Sequence, residues 1–176
     1  MNVLLGVTGA IACYKVCSLV RLMVQAGWQV RVVLTERAED FVGEITWRTL
    51  SQHVVERSAF APSDDWHPRH IALAEWCDVL MVAPASANTL TKLAQGLADN
   101  LLTQTALACT KPLVLVPAMN THMWEHPATQ ASVACLLQRG AQMVDPETGD
   151  LACGTRGTGR LPEPEVLLKA LERYAK

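Results

Sequence analysis

The stretch that decides the fold is NVLLGVTGAIA, residues 2–12, close to the start of the chain. Its first half is a short apolar run of Val and Leu, which is typical of a strand buried on both faces of a parallel sheet. Its second half carries Gly9 and leads directly into a stretch with helical periodicity. A strand that passes through a glycine turn into a helix predicts the first unit of a doubly wound α/β fold.

The rest of the chain repeats this alternation of short apolar runs and longer helical stretches. Strands are predicted at 2–8, 29–35, 79–83, 113–117 and 142–144. Helices are predicted at 10–26, 86–95, 100–109, 127–139 and 164–174. The segment 145–164, rich in Gly, Pro, Thr and Asp, is predicted to be a long loop. We therefore expect one domain, residues 1–176, with a Rossmann-like (flavodoxin-like) parallel sheet and helices on both faces.

The hydrophobic content and the net charge indicate which kinds of binding partner the protein has. Half of the residues are hydrophobic and only 18% are charged, which predicts that part of the surface is covered by other subunits. A net charge of −2, without a long run of Lys and Arg, argues against nucleic acid and anionic membranes as partners. The chain starts without a signal peptide, and its apolar runs are too short to span a bilayer, so we expect a cytoplasmic protein.

The cysteines separate into two groups. Five of the six lie in apolar helix-like or strand-like stretches, as reduced core cysteines do. Cys13 and Cys17 share a helix face but lack a second pair of ligands, so no metal site is expected. Cys153 differs because it lies in a Gly-rich segment near Arg156 and Arg160, cations that can lower the pKa of a thiol. The sequence therefore favours a functional role for Cys153.

Ligands of a doubly wound sheet lie beyond the carboxyl ends of its strands, where loops lead into helices. After the first strand, the backbone N–H groups of Gly9, Ala10 and Ile11 can meet a phosphate at a helix N-terminus. A tight turn packed against a neighbouring strand would need the same glycine. Thr35, after the second strand, either adds a hydroxyl donor to the same anion or caps a helix.

Two further loops carry polar side chains beyond strand ends. Ala83-Pro-Ala-Ser-Ala-Asn-Thr89 places small polar groups at a strand-to-helix turn, where they either contact a planar polar ligand or cap the helix. Pro117-Ala-Met-Asn-Thr-His-Met-Trp124 places one amide among two Met and one Trp. This composition suits a pocket wall with one hydrogen-bonding group, although a Met/Trp stripe also suits a core.

His70 is a candidate acid–base residue, because it opens a run of helical character just before the strand at 79–83. A neutral imidazole there can take or hold a proton near neutral pH. A lone His at such a place also suits a cap or a surface position. From the residues alone, the competing candidates are His53, His67, His122 and His126.

Taken together, these segments resemble the flavin-containing cysteine decarboxylases, which include phosphopantothenoylcysteine decarboxylase and the lantibiotic peptidyl-cysteine decarboxylases. The resemblance spans nearly the whole chain. It is carried, in order, by His70-Ile-x-Leu-Ala-x-Trp-x-Asp78, Pro84-Ala-Ser-Ala-Asn-Thr89, Gly96-Leu-Ala-Asp-Asn-Leu-Leu102, Pro117-Ala-Met-Asn-x-x-Met-Trp124 and Ala152-Cys-Gly154. It implies FMN as the cofactor, bound between the subunits of a homotrimer or of a multiple of trimers.

The resemblance also implies roles for individual residues. His70 matches the active-site histidine of the family, and Asn120 matches the residue that holds the substrate carboxylate. Implied contacts of the FMN phosphate are Gly9, Ala10, Ile11 and Thr35. Implied contacts of the flavin ring are Phe41, Ser86, Asn88, Thr89 and Ala118. The implied substrate clamp contains Met119, Met123, Ala152, Cys153 and Gly154.

The implied reaction begins with oxidation of the thiol-bearing carbon of a cysteine, which creates the electron sink that loss of carbon dioxide needs. The enethiol is then reduced, with Cys153 as the proton donor. Peptidyl-cysteine enzymes omit this last step, so Cys153 favours conversion of phosphopantothenoylcysteine to 4′-phosphopantetheine in coenzyme A biosynthesis. The alternatives are a peptidyl-cysteine decarboxylase, a protein similar to flavin prenyltransferases, and a non-catalytic flavoprotein. Many bacterial members carry a C-terminal synthetase, whereas this sequence ends at Lys176, and stand-alone forms exist in the family.

Overall fold

A parallel β-sheet organises the protein, whose computed structural model describes residues 1–60 and 66–175. Its strands are β1 (Asn2–Val7), β2 (Gln29–Leu34), β3 (Val79–Ala85), β4 (Leu113–Pro117) and β5 (Gln142–Met143). They lie in the order β2-β1-β3-β4-β5 and are all parallel. This is the flavodoxin-like order, in which the direction of winding reverses between β1 and β3. The predicted fold class is confirmed.

The two central strands explain why the sequence shows continuous apolar runs rather than alternation. β1 is buried from its second residue onward, and β3 is buried throughout. They pair in register from Val3 with Val79 to Gly6 with Val82. Because helices cover both faces of these strands, apolar side chains are needed on both faces.

Helices divide the apolar residues into two core clusters, one on each face of the sheet. One face is covered by α1 (Cys13–Gln25), α2 (Glu44–Ser51) and α8 (Pro164–Glu172). The other is covered by α3 (Arg69–Trp76), α4 (Ala87–Gln95), α5 (Leu101–Ala108) and α7 (Pro127–Gln138). The short helix α6 (Thr121–Glu125) follows β4, and a 3-10 turn (Glu36–Ala38) follows β2. Within the described residues, none of the helices combines the length and the apolar character that a membrane crossing requires.

The segment after β5 differs from its prediction. The prediction of a long loop at 145–164 is wrong, because this segment contains the antiparallel strands β6 (Glu147–Asp150) and β7 (Arg156–Arg160). Thr148 pairs with Thr158 across this hairpin, and their hydroxyl oxygens are 2.9 Å apart. The strands consist of Gly, Thr and charged residues, so they lack the apolar alternation by which a strand is recognised.

Candidate active site

Thr8 joins the ends of β1 and β3, where the winding of the sheet reverses. Its side chain is fully buried. The hydroxyl donates to the carbonyl oxygen of Pro84 at 2.7 Å and accepts from the backbone N–H of Ser86 at 2.9 Å. These two hydrogen bonds fix the β3–α4 turn against the end of β1. The sequence predicts no role for Thr8, although a Thr between a buried strand and a glycine turn is a usable signal.

A cleft of about 510 Å³ opens beyond these strand ends. Its wall is formed by the β1–α1 loop, the start of α4, the β4–α6 loop and the β6–β7 hairpin. Ten of the predicted site residues line it: Gly9, Ala10, Ile11, Ser86, Ala118, Met119, Asn120, Met123, Ala152 and Cys153. The fold therefore brings together residues that lie far apart in the sequence.

The β1–α1 loop reaches the cleft immediately before α1 begins at Cys13. A Cβ atom at Gly9 would lie 2.7 Å from the Cβ atom of Arg37, so the loop needs glycine to pack against the 3-10 turn. The loop lies at the amino end of a long helix, where the helix dipole and free N–H groups favour an anion. The packing role and the anion-binding role are therefore compatible.

Ser86 forms the wall of the cleft at the start of α4. Its hydroxyl oxygen accepts from the backbone N–H of Thr89 at 3.3 Å, and its hydroxyl donates to the Thr89 hydroxyl at 3.2 Å. Thr89 is buried, whereas Asn88 is exposed. Ser86 thus caps the helix and also lines the cleft, so the two roles that the sequence left open, helix cap and ligand contact, are compatible.

Asn120 and Cys153 meet at the other side of the cleft. The Asn120 side chain caps α6, because its Oδ1 accepts from the backbone N–H of His122 at 2.9 Å. Its Nδ2 then points to the Cys153 sulfur, at 3.4 Å. The cap determines which end of the amide faces the thiol, so the cleft receives the N–H groups of Asn120.

The Cys153 thiol is exposed, and its environment is polar. The Thr155 hydroxyl lies 3.1 Å from the sulfur. Hydrogen bonds from the side chain and backbone of Thr155, and then from Asn120, lower the pKa of the Cys153 thiol. The predicted direction agrees, but the cause is local hydrogen bonding rather than the charges of Arg156 and Arg160.

Two glycines seat the hairpin on the β4–α6 loop. The backbone N–H of Met119 donates to the carbonyl oxygen of Gly159 at 3.0 Å. A Cβ atom at Gly159, where φ is +145°, would overlap the Met119 carbonyl oxygen, and one at Gly157 would overlap the Thr121 hydroxyl. Gly157 and Gly159 could not be predicted as parts of the site, because the contact joins segments that are remote in sequence.

Lys15 anchors the base of the same hairpin to α1. Its side chain is 11% exposed. The ammonium donates to the carbonyl oxygen of Leu161 at 2.8 Å and to the Glu163 carboxylate at 2.9 Å. Glu163 also pairs with Arg160. The Lys15 hydrogen bond is the main cause, and the Arg160 pair a smaller one, of the lowered pKa of the Glu163 carboxyl.

Six predicted site residues lie outside the lining of the cleft in the described part of the chain: Thr35, Phe41, His70, Asn88, Thr89 and Gly154. Thr35 is still close to the β1–α1 loop, because its N–H donates to the Val7 carbonyl oxygen at 3.0 Å. Phe41 is 45% exposed. His70 lies in the first turn of α3, on the sheet face that α3 and α5 cover.

Among residues 1–60 and 66–175, no histidine lines the cleft of a single chain. His53 contacts the Gln29 side-chain oxygen through its Nε2, at 3.0 Å. His126 caps α7, because its Nδ1 accepts from the backbone N–H of Ala128 at 3.2 Å. These contacts account for two of the histidines that competed with His70 in the sequence analysis.

Comparison with known proteins places these features in context. A protein-family model described as Flavoprotein matches residues 1–176. The chain is 46% identical over 173 residues to the coenzyme A biosynthesis bifunctional protein CoaBC of Bacillus subtilis, covering 98% of this chain and 43% of the relative. The chain thus spans less than half the length of this curated relative.

Solved structures show the same fold over the whole chain. A PPC decarboxylase mutant complexed with pantothenoylaminoethenethiol is 34% identical, with a TM-score of 0.87 over 99% of this chain and 97% of that one. The FMN-dependent cysteine decarboxylase SpaF is 31% identical, with a TM-score of 0.85 over 100% of this chain and 98% of that one. The similarity therefore includes the loops at the carboxyl ends of the strands, where the cleft opens.

Proposed function

The chain belongs to the flavoprotein family, and from that premise we propose that residues 1–176 form one FMN-dependent cysteine decarboxylase domain. The proposed substrate is phosphopantothenoylcysteine, and the products are 4′-phosphopantetheine and carbon dioxide, in coenzyme A biosynthesis. The CoaBC relative and the PPC decarboxylase structure support this substrate. The observation that carries the proposal is the Asn120 amide, 3.4 Å from the Cys153 sulfur in one cleft.

The cleft has the size and the donors that FMN requires. A volume of about 510 Å³ lies in the range of small-molecule sites. We propose that the N–H groups of the loop from Gly9 to Ile11 hold the phosphate, with Thr35 beside them. The proposed ring contacts are Phe41, Ser86, Asn88, Thr89 and Ala118. Bound FMN would supply the hydride acceptor and donor that the reaction needs.

Asn120 is proposed to orient the substrate carboxylate. Its N–H groups face the cleft because its oxygen caps α6. A carboxylate held by these donors is fixed relative to the carbon that is oxidised. Such positioning lowers the activation barrier, because the substrate loses its translational and rotational entropy on binding rather than in the reaction step. The proposed walls of the substrate site are Met119, Met123, Ala152 and Gly154.

Cys153 is proposed to donate the last proton to carbon. The hydrogen bonds of Thr155 and Asn120 stabilise its thiolate and so lower the pKa of the thiol. A thiol with a lowered pKa releases its proton more readily, provided that it is protonated when the enethiol reaches it. The same hydrogen bonds would hold the thiolate until it is reprotonated.

His70 is proposed to act in the cleft of a neighbouring subunit. The cleft of one chain takes no histidine from the described residues, while Ile11 and Tyr14 at its edge are 56% and 64% exposed. Apolar side chains at a cleft edge favour a covering subunit. We propose a homotrimer or a multiple of trimers with FMN at the interface, working in the cytoplasm, where thiols stay reduced.

The test is to load the purified protein with FMN, add phosphopantothenoylcysteine, and follow carbon dioxide and product mass. We expect carbon dioxide and the saturated thiol. The Cys153→Ser variant should still release carbon dioxide but accumulate the oxidised enethiol, and full conversion to the saturated thiol would refute the donor role. The His70→Asn variant should release no carbon dioxide. Protein that fails to bind FMN would refute the proposal as a whole.

A second candidate is a peptidyl-cysteine decarboxylase, which the likeness to SpaF favours. The same assay with a peptide that ends in cysteine separates the two. Faster release of carbon dioxide from the peptide, with the enethiol as the final product, would favour this candidate. Cys153 argues for the coenzyme A precursor, because a peptide enzyme that stops at the enethiol needs no final proton donor.

A further inference from the structure

A pair of cysteines lies outside the cleft, where α3 and α5 end. Cys77 follows α3 and Cys109 follows α5, both with extended backbone. Their sulfur atoms are 3.8 Å apart. Both sulfurs also approach the Ala74 carbonyl oxygen, at 3.6 Å from Cys77 and 4.0 Å from Cys109. The packing of the two helices therefore holds the two thiols side by side.

The two thiols differ in how far solvent reaches them. Cys77 is buried, with 1% of its surface exposed, whereas Cys109 is half-buried. Cys109 lines a wide groove of about 730 Å³ at the surface, together with Lys111 and Arg139. A small uncharged oxidant can therefore approach Cys109 from the groove, whereas Cys77 is buried next to Cys109.

The two thiols also differ in acidity. The hydrogen bond between the two sulfurs, with smaller contributions from the backbone N–H and the charge of Lys111, lowers the pKa of Cys109. The same hydrogen bond and burial raise the pKa of Cys77. Cys109 is the more accessible sulfur of the pair, and a lowered pKa raises its share of thiolate, the form that oxidants attack. By contrast, burial raises the pKa values of Cys13 and Cys17.

We propose that Cys109 and Cys77 form a peroxide-sensitive modification site that closes into a disulfide. In the first step the Cys109 sulfur bonds to one oxygen of hydrogen peroxide, the O–O bond breaks, and hydroxide leaves with the second oxygen. In the second step the Cys77 sulfur attacks the Cys109 sulfenic acid, the S–O bond breaks, and its oxygen leaves as water with the Cys77 proton. The peroxide takes up the two electrons that the thiols lose.

Closure needs the two sulfurs to move from 3.8 Å to the bond length of about 2.05 Å. Each cysteine is the residue just after a helix, so the movement does not break a helix interior. Cys153 is also exposed and acidic, but its hydrogen-bonding partners are Asn120 and Thr155, which carry no thiol. Oxidised Cys153 therefore lacks the resolving partner that Cys109 has.

The experiment oxidises the FMN-loaded protein with hydrogen peroxide, blocks the remaining thiols with N-ethylmaleimide after unfolding, and identifies peptides by mass spectrometry. We expect a cross-linked peptide joining Cys77 and Cys109, two hydrogen atoms lighter than its parts, which dithiothreitol separates. Alkylation of both cysteines should fall relative to that of Cys135, in proportion to the cross-link formed. Full alkylation of both after Cys153 has been oxidised would overturn the proposal.

Variants make the assignment specific. Cys109→Ser should abolish the cross-link and leave Cys77 alkylated. Cys77→Ser should leave Cys109 as sulfenic or sulfinic acid, which a dimedone probe detects at the sulfenic stage. Cys135→Ser is the matched control, since Cys135 is half-buried and its sulfur donates to a backbone carbonyl oxygen, that of Ala94 at 3.7 Å. A disulfide between Cys77 and a different cysteine, formed to the same extent in the Cys109→Ser variant, would contradict the pairing.

Discussion

The two walls of the cleft are built in opposite ways. The wall at the ends of β1 and β3 rests on buried strand ends, and the buried Thr8 hydroxyl fastens it through backbone groups. The wall that carries Cys153 is an exposed hairpin, held by its contacts with the β4–α6 loop and by Lys15 at its base. The first wall is part of the core, and the second is attached to its surface.

The difference indicates how the two walls divide their tasks. A wall fastened inside the core keeps a constant shape, which suits a cofactor that stays bound. An exposed hairpin can hold a thiol in water, where hydrogen bonds rather than burial set its acidity. Changes in the first wall should therefore affect folding and flavin binding, whereas changes in the second should affect turnover while flavin stays bound.

The largest effect is expected from Gly159→Ala, which breaks the attachment of the hairpin. The added Cβ would overlap the Met119 carbonyl oxygen at a φ of +145°, so the hairpin must move off the β4–α6 loop. We expect decarboxylation to fall about 100-fold, as misplacement of reacting groups does, with FMN binding unchanged. Turnover and flavin titration measure this.

The control for Gly159→Ala is Gly149→Ala in the facing strand. There the new Cβ meets only the Arg160 side chain, at 3.1 Å, which can turn away. This variant should keep most of the turnover. Wild-type turnover by Gly159→Ala would show that the hairpin is not seated as described.

Thr8→Val tests the buried wall with little change of shape. It leaves the Ser86 N–H and the Pro84 carbonyl oxygen without their partner. Unpaired buried groups cost about 1–3 kcal/mol, so we expect the free energy of unfolding in urea to fall by that amount and flavin affinity to weaken. Thr8→Ser should restore both. Equal stability of the Val and Ser variants would contradict the role of the hydroxyl.

A smaller effect concerns the acidity of Cys153. Because hydrogen bonds stabilise its thiolate, its alkylation by iodoacetamide should reach half its maximal rate below the pH of about 8.5 that is ordinary for cysteine. Thr155→Val removes the largest cause and should move this midpoint upward. Thr148→Val is the control, since that hydroxyl contacts Thr158 instead. An unmoved midpoint in Thr155→Val would rule out Thr155 as the cause.

The smallest effect is expected from Glu163→Gln, which weakens the anchor at Lys15. The pKa of Glu163 is lowered in the folded protein, so its stabilisation is present above the unfolded value of about 4.3 and is lost as the pH falls through the folded value. Glu163 is 46% exposed in its side chain, and such pairs contribute about 0–1 kcal/mol. Thermal unfolding at neutral pH should show a small loss, and the difference from wild type should shrink below about pH 4. A stability difference between wild type and Glu163→Gln that grows on acidification would contradict the lowered pKa of Glu163.

The sequence predicted the buried wall better than the exposed one. β1 and β3 were predicted because burial on both faces leaves a continuous apolar run, and the predicted end of β3 was short only because Ala85 pairs with Pro117 after a register shift. The hairpin was not predicted, because its two strands are held together by backbone pairing and because it approaches the Met119 backbone closely at a glycine, Gly159. No local pattern records that contact. The residues alone marked Asn120 and Cys153 as candidates and left five histidines open, whereas the family resemblance supplied the specific roles.

The fixed orientation of the Asn120 amide determines which chemical groups can bind beside the hairpin. Since its carbonyl oxygen is turned towards the backbone of α6, the group that a visiting molecule meets is an NH2. A ligand must bring lone pairs to this point, as a carboxylate or a sulfonate does. An ammonium group, which has no lone pair, would face hydrogen against hydrogen, and in the proposed reaction the product would lack the carboxylate through which the substrate binds Asn120.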